Sequence, residues 1–403
     1  MLIKSQSYST LSLVCLLAAL STIGPFTVVT VLPTMGAIGQ SFNKSPEQVQ
    51  FIIALYSICF GLMNLLHGAL SDAIGRKKVI FIALTCYSLA SFGCAFAPNL
   101  EILIAMRILQ GLSGGAGAIV SKAIIRDCFS GIKAQKIMAH VTMIFSLAPA
   151  IAPIIGGQLL GQFGWQAIFL FLAFFGLTLL LCAYRQLSKV YPTEPKKKLN
   201  ITLLSKNYQQ LLLKPKFLLL SGTLTFSFVG MYLFIHSAHQ ILVYHFHIPE
   251  TQFAWLFNPL VLGIISGAFC SGRIAGRVSD KTIAIIGYAI MLSSSLSMTV
   301  YHLYFQASLW MVILPLACYA FAAFFIVPSL TVSLMDIIPS LRGTASSLQS
   351  SMQSLCAGII SGIVAPLVWH DIASLAGTML FFCLLSIMIG LIYFYLTPKK
   401  SVL

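Results

Sequence analysis

The sequence predicts an all-α integral membrane protein of twelve transmembrane helices, arranged as two pseudo-symmetric six-helix bundles. Three observations predict it. Apolar residues make up 58% of the 403-residue chain and charged residues only 8%, against roughly 45–50% and 25% in a soluble globular protein. A spanning helix needs about 20 apolar residues, so a dozen take ~240, nearly all the apolar residues present. Basic residues are confined almost wholly to alternate connections between the apolar runs. This composition leaves no room for a sizeable soluble catalytic domain. It also disfavours a β-barrel, whose strands alternate apolar and polar residues.

The run 11–33 predicts the first span. Only Lys4 precedes it and no small-residue cleavage site follows, so it reads as an uncleaved helix rather than a removed signal peptide. Runs 49–70 and 78–97 give spans two and three, on either side of a glycine-rich basic loop. Span four, 100–124, carries a single arginine about two turns in, and span five, 137–160, contains Pro149 and Pro153. Span six is 165–184. Arg185 to Lys216 is the longest polar interruption and contains Pro192, Pro195 and the run Lys196-Lys197-Lys198. It reads as a solvated linker, with an anionic-lipid contact as a smaller alternative. Runs 217–243, 253–272, 281–301, 308–330, 343–368 and 373–396 supply six more spans. The expected organisation is therefore a bundle over 1–184, a linker over 185–216 and a second bundle over 217–403.

The formal net charge of +15 would suggest nucleic-acid binding in a soluble protein. Its distribution argues otherwise, and no nucleic-acid partner is expected. With a cytoplasmic N-terminus, 22 of the 24 Lys and Arg residues fall on the cytoplasmic side and only Lys44 on the other, Arg107 being inside a span. The positive-inside rule then puts both termini in the cytoplasm. The ten cysteines lie in or beside apolar runs with no CxxC spacing. They read as small packing residues, with no disulfide framework, metal site or cofactor implied. The lipid bilayer is the one partner that composition itself demands.

The halves echo each other weakly. Arg126-Asp127 ends span four and Met335-Asp336 ends span ten. Gly272-Arg273-Ile274-Ala275-Gly276-Arg277 follows span eight, where the first half has its glycine-rich basic loop after span two. Duplicated halves suit a carrier that exposes a midplane site to each side in turn.

That first loop reads Gly68-Ala69-Leu70-Ser71-Asp72-Ala73-Ile74-Gly75-Arg76-Lys77-Lys78. It resembles the signature of the major facilitator superfamily, G-x-L-x-D-x-x-G-R-[KR], in the loop where that family carries it. Arg107-Ile108-Leu109-Gln110-Gly111 matches the family's R-x-x-Q-G, and Ala152-Pro153-Ile154-Ile155-Gly156-Gly157 matches the core of its antiporter-associated motif. Lys122 to Asp127, Gly164 to Phe169 and Gly343 to Ser347 resemble the Bcr/CflA branch of twelve-span drug:proton antiporters. The resemblance implies that Asp72 lies against the start of span eleven, near Gly343-Thr344, and that Arg76 pairs with Asp127, so that Asp72, Gly75, Arg76 and Asp127 form a conformational switch. It implies an inner-membrane, proton-coupled exporter of small organic molecules that works by alternating access as a monomer. Import or export of an anionic solute such as a carboxylate metal chelate is the alternative. An enzyme is disfavoured: no P-loop GK pair or H-E-x-x-H occurs.

Residue chemistry supports some of this independently. A charge inside a span is a functional candidate by default, and Gln110 shares the face of Arg107. Pro153 breaks a helical hydrogen bond, while Gly156 and Gly157 admit a close partner helix. The sequence also departs from the branch. All nine acidic residues lie in loops or at span ends, and Gly24 to Thr30, upstream of Leu32-Pro33, lacks the carboxylate that many relatives carry in span one. Arg107 then has no obvious acidic partner. Either Gln110, carbonyls at the span-one bend and water compensate it, or it attracts an acidic or zwitterionic substrate. With no buried carboxylate, His236 and His239, three residues apart in span seven, are candidate proton carriers. They read equally as hydrogen-bonded interfacial histidines. Asn64 and His67 share a face of span two that either lines a cavity or sits at the cytoplasmic end. Tyr56, Phe228 and Tyr232 are candidate pocket aromatics.

Overall fold

The structure, a computed structural model, describes residues 10–190, 200–274 and 277–396. Lys4, the stretch from Pro192 through Lys198, Ala275-Gly276 and Lys399-Lys400 lie outside the described residues. Every regular element described is helical. Eleven segments are long and apolar enough to cross a membrane, and a shorter apolar helix, Leu147–Phe163, occupies the remaining expected position. The chain is a multi-pass membrane protein with the twelve-helix architecture expected from its sequence.

The first compact unit covers Met1–Ile201 and Pro249–Ala254. It contains α1 (Thr10–Val31), α2 (Met35–Phe42), α3 (Pro46–Ile74), α4 (Arg76–Ala95), α5 (Leu100–Gly114), α6 (Ala116–Cys128), α7 (Gly131–Phe163) and α8 (Trp165–Val190). Local chemistry sets several boundaries. Ser45 caps α3 in a reciprocal capping box with Gln48, with Pro46 at the first helical position. Asn99 accepts from the Ile102 N–H at the start of α5. Gly75 (φ 106°) and Gly164 (φ 79°) take positive-φ conformations open to glycine, so α3 turns directly into α4 and α7 into α8. The fourth span is interrupted at Gly115, which separates α5 from α6. Within the unit α4 packs on α8, α1 on α7 and α3 on α5.

The second unit covers Thr202–Ile248 and Trp255–Leu403. Its elements are α9 (Ile201–Leu212), α10 (Pro215–His236), α11 (Ala254–Ile274), α12 (Asp280–Tyr304), α13 (Leu309–Met335), α14 (Arg342–Ile359), α15 (Ala365–Val368) and α16 (Ile372–Leu396). Part of the expected linker is thus a helix, α9. It is anchored within its unit by buried Leu211 and by Tyr208, whose hydroxyl lies 3.3 Å from that of Ser347. Helix α10 packs on α16, and α12 packs on both α13 and α16. Two wide π-turns interrupt spans of this unit: Gln240–His245 after α10, and Ile360–Val364 between α14 and α15. Such turns recur at functional sites.

Candidate functional site

A buried polar network of the first unit centres on Arg107. It is 0% exposed. Its Nε donates to the Ile52 carbonyl (2.9 Å) and its Nη1 to Gln110 Oε1 (2.5 Å), while the guanidinium lies 4.2 Å from the Tyr56 ring centroid. Gln110 Nε2 donates to Ser91 Oγ (2.7 Å), which donates onward to the Tyr87 carbonyl. The Tyr87 and Thr27 hydroxyls are 2.6 Å apart, and Tyr56 donates to the Gly24 carbonyl. An amide, a carbonyl and an aromatic face therefore compensate the charge where a carboxylate is lacking. Gln110 is the expected partner. The carbonyl comes from Ile52 in span two instead of the bend in span one, because α3 packs directly on α5 through Gly111 and Gly114. Arg107 Nη2 has no hydrogen-bond partner among the described residues. Ser91, Tyr87 and Thr27 were not legible as site residues: an isolated hydroxyl on an apolar helix carries no spacing signal.

The switch residues meet at the other end of α3. Gly75 makes the turn, placing Arg76 at the first position of α4. Arg76 Nε lies 3.2 Å from Asp127 Oδ2, and its Nη1 pairs with Asp72 and donates to Ser71 Oγ. The Arg76–Asp127 pair implied by the resemblance is present. One guanidinium thus ties the end of α3 to the end of α6. The second unit uses different chemistry at its related position. Asp280, at the start of α12, accepts from Ser329 (2.6 Å) and Ser333 (2.9 Å) of α13, and Arg342 pairs with Asp336 at 2.5 Å.

In α7, Pro149 and Pro153 lie inside the helix. A methyl group on Gly156 would overlap the Thr30 carbonyl of α1, so that glycine admits a partner helix as expected. Gly157 differs: a methyl there would sit 2.9 Å from the Glu250 carbonyl and 3.0 Å from Thr251 Cα. Its neighbour is the short 3-10 turn Glu250–Gln252, which belongs to the first unit.

In the second unit, Phe228, Tyr232 and His236 stack along one face of α10, with centroid separations of 5.8 and 6.0 Å. Phe324 meets Phe228 edge-on. His236 is buried and hydrogen-bonds the Ala357 backbone, one turn before the π-turn at Ile360. His239 immediately precedes the π-turn Gln240–His245. His245 Nε2 lies 2.8 Å from the Trp369 carbonyl. No group of three or more His, Cys, Asp or Glu side chains capable of holding a metal occurs among the described residues. Asn64 and His67, 3% and 1% exposed, sit beside the interruption at Gly115.

The described acidic residues all lie at helix ends or in turns, as the sequence indicates. Glu101, in the first turn of α5, pairs with Lys44 at 3.2 Å, and Asp371, outside the spans, is perturbed. Burial pushes the Asp371 carboxyl up, but hydrogen bonds from Ser374 and Ala373, with His245 nearby, outweigh it and bring the group down.

A family model described as the Major Facilitator Superfamily matches residues 14–361. The chain is 26% identical to a bicyclomycin resistance protein homolog of Haemophilus influenzae over 98% of each protein. It is 24% identical to multidrug resistance protein D of Escherichia coli over 97% of each. Among solved structures, a D-xylose–proton symporter superposes with a TM-score of 0.74 at 14% identity, covering 97% of this chain and 98% of that one. That likeness shows the fold alone.

Proposed function

The chain belongs to the Major Facilitator Superfamily, and on that premise we propose that it exports small organic molecules across a bacterial-type inner membrane in exchange for protons. The observation that carries this reading is its end-to-end similarity to two proteins named for drug resistance. In this reading both termini are cytoplasmic, the protein works as a monomer, and the stretches 1–184 and 217–403 are the moving six-helix parts joined by 185–216. Access to the site alternates. Asp72, Gly75, Arg76 and Asp127 lock one state, and the bend at Pro153 with the close packing at Gly156 and Gly157 accommodates the change. Asn64, Arg107, Gln110, His236 and His239 serve substrate binding and coupling.

Arg107 sets the charge preference. It is a buried cation with no carboxylate nearby, so its field is uncancelled. At ~8 Å and an effective dielectric of ~20, a monovalent cation is repelled by about 2 kcal/mol, roughly 30-fold in affinity. Uncharged, zwitterionic and acidic solutes escape this penalty, and Nη2 retains a hydrogen to offer an acceptor. That left-over donor favours the second reading, a carrier for an anionic solute such as a carboxylate chelate. In proteoliposomes with an internal pH dye, bicyclomycin and a panel of organic anions and zwitterions should produce substrate-dependent pH changes, and a lipophilic cationic dye should not. Arg107→Ala should weaken the anion response and admit the dye. A wild type that responds to the cation alone would overturn the proposal.

A further inference from the structure

Among the described residues every carboxylate lies at a helix end or in a turn and none in the middle of a span, yet exchange for protons needs a group that gains and loses one. Helix α3 carries such a group at a defect in its neighbour. Helix α5 ends Leu112-Ser113-Gly114, and one residue outside both helices, Gly115, which keeps right-handed helical dihedrals, precedes α6. Two consecutive glycines are poor helix formers, and an interruption weakens the intrahelical partners of the carbonyls before it. His67 supplies one of them. Its ring bonds the Leu112 backbone carbonyl. Nδ1 has no hydrogen-bond partner among the described residues, so the bond runs from Nε2–H and Nδ1 keeps its lone pair. The residue is 1% exposed. Nδ1 and Asn64 Oδ1 both pack against Gly115: a methyl there would overlap Asn64 Oδ1 and stand 3.4 Å from Nδ1.

We propose that His67 is a proton-binding site of the transport cycle, with Asn64 Oδ1 as the acceptor that stabilises the protonated ring. A proton from water adds to the Nδ1 lone pair, giving an imidazolium whose Nε2–H stays on Leu112 and whose new N–H turns toward Asn64. Release returns the proton to water on the other side, and no electrons move. The added bond draws α3 against the Gly115 interruption, five residues from Gln110 on the same span. Proton occupancy is thereby linked to the Arg107 network. The charged groups on the surrounding elements are Glu47 and Asp72 on α3, Arg76, Lys77 and Lys78 on α4, Glu101 and Arg107 on α5, and Lys122, Arg126 and Asp127 on α6, Glu47 and Glu101 lying at the first turns of their helices, far along the chain from His67 and Leu112. Asp72 and Asp127 are both engaged by Arg76, so no carboxylate there is placed to take the role. This inference rests on the proton-exchange reading above.

The test has two arms. In lipid nanodiscs, protein with ring-15N-labelled histidine should show one imidazole titration that is lost in His67→Gln and shifts its midpoint upward by about one unit or more in Asn64→Asp. In proteoliposomes, His67→Gln should lose bicyclomycin accumulation driven by a pH gradient at least tenfold while retaining bicyclomycin counterflow, which needs no net proton movement. Gradient-driven accumulation at the wild-type level in His67→Gln would overturn the proposal. So would a titration unmoved by Asn64→Asp, a readout that applies even if His67→Gln fails to fold. If the wild type moves no bicyclomycin at all, the export reading fails in its substrate, and the titration still decides the role of His67.

Discussion

Replacing Gln110 by leucine should damage the first unit more than replacing Arg107 by methionine, although arginine is the charged member of the pair. In Gln110→Leu the guanidinium stays buried and keeps only the Ile52 carbonyl and the Tyr56 face. Nη1 then joins Nη2 without an acceptor. Stranding a buried charged group costs about 3 kcal/mol or more. In Arg107→Met the charge and its desolvation penalty vanish together. The orphan is Gln110 Oε1, a neutral acceptor worth ~1–3 kcal/mol, while Gln110 Nε2 keeps Ser91. The double variant removes both and should recover most of the loss seen in Gln110→Leu. Since 1 kcal/mol shifts the midpoint by ~2–4 °C for a domain of 150–250 residues, Gln110→Leu should lie ~6–12 °C below wild type. Arg107→Met and the double variant should fall between. Thermal unfolding of detergent-purified protein, followed by monodispersity, reads the order directly. A midpoint for Arg107→Met below that of Gln110→Leu, or additive losses in the double variant, would refute the reasoning that an uncompensated guanidinium is the costly species.

Gly156→Ala should destabilise the α1–α7 contact by ~1–3 kcal/mol, the usual penalty for overpacking, because its methyl would meet the Thr30 carbonyl. Gly222→Ala, whose nearest foreign atom would be Ile389 Cδ1 at 3.6 Å, should be tolerated. Equal melting temperatures for the two variants would rule the close packing unimportant. The depressed Asp371 carboxyl contributes stability that is fully present above its unfolded value of about 3.9. That stability declines as pH falls through the lower folded value. Asp371→Asn should therefore be less stable than wild type at pH 7, with the gap shrinking toward pH 3. A gap of constant size across that range would assign the effect to packing instead.

The sequence by itself determined the architecture. Hydropathy and helix length fix the number of spans because a bilayer leaves no other way to satisfy the backbone, and the one-sided basic residues bear on orientation in the same direct way. Gly75 was legible as part of the glycine-rich signature loop, and its positive φ came only with the structure. Arg107 and Gln110 stood out because charge and amide are costly in apolar surroundings, and their three-residue spacing placed them on one face. Tertiary structure decided the partners. Ile52, Ser91, Tyr87 and Thr27 join the Arg107 network from three other helices, and the contact of Gly157 comes from a turn nearly a hundred residues later. The interruption at Gly115 that gives His67 its carbonyl is equally a tertiary outcome. Gly-Gly lowers helix propensity but does not compel a break; only the structure shows Tyr56, Asn64 and His67 packed against that face of the span. Periodicity reports which face of a helix is buried. Which atoms meet across that face depends on helix rotation and depth, set by packing between segments far apart in the chain.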